Sequence, residues 1–199
     1  MAELIIDHKS AAGPRVMQVR GTLLVSSLQA LREFGYFERY LAKLPAGSRD
    51  AIVFCVANSW LPLELAMTHY GACDAMELSD RELENVGSSV SQRIMGTFLG
   101  TLLRSGRSMG ATPSPWIALR QYGRICDRLL EGGTHRVSEA GPKDAIVDTA
   151  GVPMFRFRYF RTATLGVMRG AAGVFAKTCF AKELPNQDPE RIQVSLRWV

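Results

Sequence analysis

From Gly21 onward, Leu24, Leu28, Leu31, Phe34, Tyr40, Leu41 and Leu44 recur at near-helical spacing, and Pro45-Ala46-Gly47 ends the run. Upstream, residues 1–13 alternate only weakly and close on Ala11-Ala12-Gly13-Pro14, which reads as a loose leader. Arg15–Arg20 alternates and suits a short strand or the entry to the first helix. The apolar run Ala51–Val56 is too short to separate a strand from a buried helical turn. Asn58-Ser59 then offers an N-cap with Pro62 in the first turn, and a second helix follows through Leu63, Met67 and Tyr70.

Ser79-Asp80-Arg81-Glu82 is a capping box, in which Ser79 and Glu82 satisfy each other's neighbouring backbone N–H groups. The helix it opens continues through Leu83, Val86, Val90, Ile94, Phe98 and Leu103. It carries Gly87, Ser88, Ser91, Gly96 and Gly100, although each glycine costs up to about 1 kcal/mol of helix propensity. Small residues admit a neighbouring backbone, so this is expected to be a central helix, with Gly96 and Gly100 marking the close approach. Ser114-Pro115 opens a helix from Trp116 to Leu130, stopped by Gly132-Gly133.

Beyond Gly133 the period shortens. Thr134–Ala140 and Ala145–Ala150, joined by Gly141-Pro142-Lys143-Asp144, read as a β-hairpin. A helical stretch through Tyr159, Leu165, Val167 and Met168 follows, rich in Gly and Ala, and Val174–Phe180 and Arg191–Val199 are the last strands. The expected class is α+β: N-terminal helices (1–78), then an α-β-β-α-β-β unit (79–199) with a four-stranded antiparallel sheet, in one domain over 1–199.

Composition narrows the class further. The 199 residues are 47% hydrophobic and 22% charged, which excludes a disordered tail or a disulfide miniprotein. No apolar run approaches the roughly 18 residues of a membrane span, and the N-terminus lacks a basic start, so a cytoplasmic location is expected. Cys55, Cys73, Cys126 and Cys179 form no CxxC pair and are expected as reduced core residues.

Charge is uneven. Residues 1–99 hold 9 basic and 11 acidic side chains, residues 100–199 hold 15 and 8. The excess is mainly arginine. Arg120, Arg124 and Arg128 repeat every four residues and form a candidate docking stripe for an acidic partner. No nucleic-acid module accompanies them, and no nucleic-acid partner is expected.

No Gly-x-Ser-x-Gly elbow, Walker loop or dinucleotide-binding glycine motif is present, so no enzyme is expected. The histidines are His8, His69 and His135, and none has a carboxylate at an orienting spacing. No metal site or cofactor is expected. Arg156, Arg158 and Arg161 are candidates for holding an anionic head group at a pocket mouth walled by Phe155, Phe157 and Phe160. Phe98, Tyr159 and Gly170 complete the candidate ligand residues.

The stretch from Ser79 resembles the ligand-binding superfamily that joins the H-NOX and 4-vinyl-reductase families, and more closely a set of uncharacterised myxobacterial paralogues of similar length. The resemblance rests on Gly96-Thr97-Phe98-Leu99, Ser114-Pro115-Trp116, Gly141-Pro142-Lys143-Asp144-Ala145, Tyr159-Phe160-Arg161 and Val194-Ser195-Leu196-Arg197-Trp198. For the haem-binding branch it implies a proximal histidine and a Tyr-x-Ser-x-Arg clamp. Here those regions read Tyr122–Leu130, without histidine, and Arg158-Tyr-Phe-Arg-Thr162. The 4-vinyl-reductase branch implies small apolar or acyl ligands and protein assembly. The expectation is a non-catalytic, homodimeric sensor or adaptor with an apolar helix–sheet cavity. Its alternatives are an interaction module with a filled core, and a divergent haem sensor using His69 or His135.

Overall fold

The computed structural model describes residues 4–108 and 114–199, with the side chains of Met95 and of 97–108 left outside the description. Five helices come before the first long strands. They are α1 (Gly21–Glu33), α2 (Phe37–Lys43), α3 (Ala46–Val53), α4 (Leu63–Asp74) and α5 (Asp80–Ser108). Two short helices, α6 (Trp116–Leu119) and α7 (Tyr122–Asp127), lead to the hairpin β5 (Thr134–Gly141) and β6 (Asp144–Ala150). A 3-10 turn at Pro153–Arg156 precedes α8 (Arg158–Gly173), and β7 (Cys179–Leu184) and β8 (Ile192–Trp198) finish the chain.

The class is α+β, and every pairing in the main sheet is antiparallel. That sheet has one strand more than the expected four, in the order β1-β5-β6-β8-β7. The extra strand is β1 (Ile5–Lys9), where a loose leader was expected. It pairs with β5 from Ile5↔Ser138 to Lys9↔Thr134. An edge strand shows little apolar alternation because its outer residues face water. A small second sheet joins β2 (Gln18–Arg20) to β3 (Trp60–Pro62) and β4 (Leu130–Glu131). Asn58-Ser59 therefore leads into a strand rather than capping a helix.

Two expected helices are each broken. Gly35 adopts φ +74, a left-handed value glycine tolerates, and separates α1 from α2. The helix expected over 116–130 breaks at Arg120-Gln121 and gives way to β4. The run Ala51–Val56 ends α3, and the penultimate strand starts at Cys179 because α8 and its turn extend past Val174. The capping box forms as the sequence requires: Glu82 accepts from the Ser79 N–H at 2.7 Å and its hydroxyl at 2.6 Å.

The core lies between the helices and one sheet face, where Val137, Ala145, Val147, Ile192, Val194, Leu196 and Trp198 are buried. Its tightest junction is α5 against α8. A Cβ at Gly87 would collide with the Ala163 carbonyl oxygen, and one at Gly166 with that of Glu84. Gly96, expected at this junction, instead faces open space. The reason is angular: at about 100° per residue, nine residues place Gly96 on the opposite side of the helix from Gly87. Gly87→Ala is therefore expected to cost about 1–3 kcal/mol by overpacking, whereas Gly96→Ala should be neutral or stabilising. Urea unfolding of the two variants measures this, and equal stabilities would contradict the junction.

Candidate functional site

The inner face of the sheet and helices α5, α6, α7 and α8 border a partly open cavity of about 190 Å³. Val90 and Ile94 reach it from α5, Ala118 and Tyr122 from α6 and α7, Val147 and Leu196 from the sheet, and Phe155 from the 3-10 turn. Helix α8 contributes Tyr159, Phe160, Ala163, Met168 and Ala172. No Lys, Arg, His, Asp or Glu is among the described lining residues. The amphipathic pattern of α8 explains this wall: its polar side pairs with solvent-facing carboxylates, and its apolar side turns inward.

Ser27 and Tyr159 form one edge of the cavity and belong to a buried hydrogen-bonded chain behind it. His69 Nδ1 lies 2.7 Å from the Tyr40 hydroxyl and Nε2 lies 2.9 Å from Ser27 Oγ, with Ser27 Oγ 3.3 Å from the Tyr159 hydroxyl. Tyr40 and His69 are fully buried. The neutral ring donates through one nitrogen and accepts at the other, so it links the Tyr40 hydroxyl to Ser27 in either tautomer. Burial pushes the His69 pKa down to about 3, which keeps the ring neutral and able to donate and accept at once.

A second polar cluster fastens β1. His8 Nε2 lies 2.5 Å from Asp127 Oδ2 on α7, and a Cβ at Gly123 would strike the His8 ring, so glycine lets the strand approach. His135 stacks beside His8 and is 3.4 Å from Thr149 Oγ1. Burial pushes its pKa down to about 4, against the attraction of Asp127. No group of three or more His, Cys, Asp or Glu side chains able to hold a metal occurs among the described residues.

Of the ligand residues expected from sequence, Phe155 and Tyr159 line the cavity, whereas Phe157, Arg158, Arg161 and Gly170 do not. The side chain of Phe98 lies outside the described residues. Phe157 packs over Gly71, and Gly170 faces Ser91. The arginines are taken by carboxylates: Arg156 pairs with Glu190 at 2.6 Å, Arg158 with Asp80 and Arg161 with Glu183. Among the described residues, no anion clamp stands at the cavity mouth. Arg120, Arg124 and Arg128 are all exposed, but Arg120 follows α6, Arg124 lies in α7 and Arg128 follows α7, so they do not share one continuous helical face. Sequence reasoning missed Ser91, Tyr70, Ala171 and Ala172 on the cavity wall. The spacing of Gly87 and Ser91, one helical turn apart, was the available signal.

The fold is that of the H-NOX domains. An Fe(II) unliganded H-NOX protein from K. algicida superposes with a TM-score of 0.66 at 11% identity, over 90% of this chain and 96% of that one. A mutant of it gives 0.66 at 12% identity over the same shares. A structure from work on heme distortion in the H-NOX family gives 0.57 at 11% identity, over 90% and 94%. No family model and no curated protein matches the sequence.

The described residues do not fit a haem. The cavity is smaller than the roughly 300–1,000 Å³ typical of sites for drug-sized ligands, and a haem is larger than those ligands. Neither His69 nor His135 is among its lining residues. Cys126 and Tyr122 line it, but each would ligate iron as an anion. Burial pushes the Cys126 thiol up to about 12 and the Tyr122 phenol well above its ordinary value.

The buried histidines set the acid response. Both have folded pKa values below their ordinary 6.5, so the unfolded chain binds more protons as pH falls. Their contribution is complete above pH 6.5. It declines below that by roughly 1 kcal/mol per pH unit for each histidine, down to their folded values. Urea midpoints between pH 7 and 5 should fall accordingly, and His135→Asn should remove about half of the slope. A flat profile would mean that His69 and His135 titrate normally.

Proposed function

We propose that the chain is a non-catalytic sensor or adaptor domain that takes a small, neutral, apolar ligand into the cavity between α5, α8 and the sheet. The observation carrying this reading is the partly open apolar space itself, about 190 Å³ with no charged side chain among its described walls. Native interiors are packed with few voids larger than a water molecule, and an apolar cavity of about 150 Å³ is large enough to take up benzene or xenon. A ligand here gains contacts with α5 and α8 together, so occupancy favours the packing in which both helices line the cavity. This follows the 4-vinyl-reductase side of the sequence resemblance in ligand size and apolarity. It departs from an acyl anion, because no cation is among the described lining residues to neutralise one.

A haem sensor is the second reading, favoured by the iron and heme named for the structural neighbours. The two readings separate on purification. The cavity reading expects a colourless protein, whereas a Soret band that survives desalting supports haem. Benzene titrated into the protein should shift the amide resonances of cavity residues such as Val90, Val147 and Ala172 in a saturable way. Ala172→Leu, which fills the space, should abolish those shifts while the protein stays folded. An absence of saturable shifts in the native protein would sink the proposal.

A further inference from the structure

Many surface arginines are held by carboxylates: Arg15 and Arg156 share Glu190, Arg191 takes Asp148 and Arg197 takes Asp144. Arg20 is different. Its guanidinium lies 4.2 Å from the centre of the Trp60 ring and donates to two backbone carbonyls, those of Asn58 at 2.8 Å and Arg128 at 3.4 Å. None of these partners neutralises its charge. The chain at Arg128 thus lies against Arg20, and Arg124 stands one turn earlier, with both side chains exposed. Arg124 meets only the amide oxygen of Gln121, at 3.4 Å. Asp127, the acid beside Arg128, is engaged by His8 at 2.5 Å. That leaves Glu131 in the small sheet, across from Gln18. Next to Arg20, the loop 54–59 crosses the start of α1 so closely that a Cβ at Gly21 would strike the Val56 carbonyl oxygen. The Gly21 N–H pins it at Ser59 at 2.8 Å, and the Thr22 hydroxyl at Ala57 at 2.9 Å. Phe54 and Val56 stand out from this loop, 76% and 63% exposed, on either side of Cys55, which packs on the core. Covering apolar groups on a pinned loop gains their burial with little loss of conformational freedom.

We propose that Arg20, Arg124 and Arg128, with Phe54, Val56 and Trp60 beside them, form a docking surface for an acidic protein segment that also carries an apolar side chain. Charge complementarity assigns the occupant. Arginine forks match carboxylates, and arginine and tryptophan are the residues on which interface energy concentrates. The segment's carboxylates meet the arginines while its apolar side chain covers Phe54 and Val56. A second copy of the chain meeting this same face would set arginine against arginine. A uniformly anionic membrane would press charge against Glu131, which discrete carboxylates on a peptide avoid. None of the six residues lines the cavity, so the surface stands whether or not the cavity takes a guest.

Three probes test this on the full chain, each followed by amide chemical shifts. They are a short synthetic peptide of glutamate, serine and leucine, the same peptide with glutamine in place of glutamate, and vesicles of phosphatidylserine and phosphatidylcholine. The acidic peptide is expected to give saturable shifts at Val56, Asn58 and Trp60, weakening as salt is added, because exposed charges are screened over about 8–10 Å. The glutamine peptide should bind about tenfold more weakly or not at all. Phe54→Ser should keep the melting temperature and weaken the acidic peptide about tenfold, and Arg124→Gln should flatten the salt dependence. Phe180→Ser, an equally exposed site on β7, should change neither. Equal binding of the two peptides would overturn the proposal, as would shifts confined to another face or no saturable shift. Vesicles that bind this face when the acidic peptide does not would overturn it in favour of a membrane surface. If a variant fails to fold, the comparison of the two peptides on the native protein still decides.

Discussion

The backbone contact between α5 and α8 fixes the rest of the arrangement. Gly87 meets the Ala163 carbonyl, and Gly166 meets that of Glu84, with no room for a Cβ at either glycine. A junction made of main chain cannot slide to accommodate a different side chain, because interiors are packed close to crystalline density. It sets α8 at one position on α5. Tyr159 at the start of α8 is thereby held beside Ser27, and Ala171 and Ala172 near its end become cavity wall. On α5 the same contact places Val90 and Ile94 along that space. The glycines cost helix propensity, and the position they secure for both helices is the compensation.

Around this contact the polar groups are divided by depth. Charged side chains pair outside the cavity, as Arg161 does with Glu183, Arg169 with Glu84 and Arg191 with Asp148. Neutral groups fill the interior positions, where His69 bridges Tyr40 and Ser27. Desolvation explains the division: a buried imidazole stays in place by remaining neutral and fully hydrogen-bonded, which a buried ion of the same size could not do. The cavity inherits that neutrality. Its described walls hold no charged side chain for the propionates and no histidine for the iron of a haem, although the fold is shared with H-NOX domains.

Much of the architecture was legible in the sequence because it rests on local rules. The Ser79–Glu82 box starts α5, the Gly141–Asp144 turn joins a true hairpin, and Ile192, Val194, Leu196 and Trp198 alternate into the core as their period requires. What stayed hidden depends on partners distant in the chain. Arg158 looks available for an anion until Asp80, 78 residues away, takes it. Gly96 and Gly87 look equivalent in composition, and only the helix rotation relative to α8 tells them apart. Ile5–Lys9 has too little alternation to announce a strand, and β5 supplies the missing information by pairing with it. Of the site, Phe155 and Tyr159 were readable as wall, whereas Ser91 passed as one small residue among several on a long helix.

The space between α5, α8 and the sheet, neutral across its described walls, is proposed to admit a small apolar guest. Crystals pressurised with xenon test it most directly, since xenon enters apolar cavities without needing any specific bond. The account predicts ordered xenon among Val90, Val147, Phe155 and Ala172, with the α5–α8 junction at Gly87 and Gly166 unmoved. Closed packing at those residues with no xenon among them, or a haem already seated there, would contradict it.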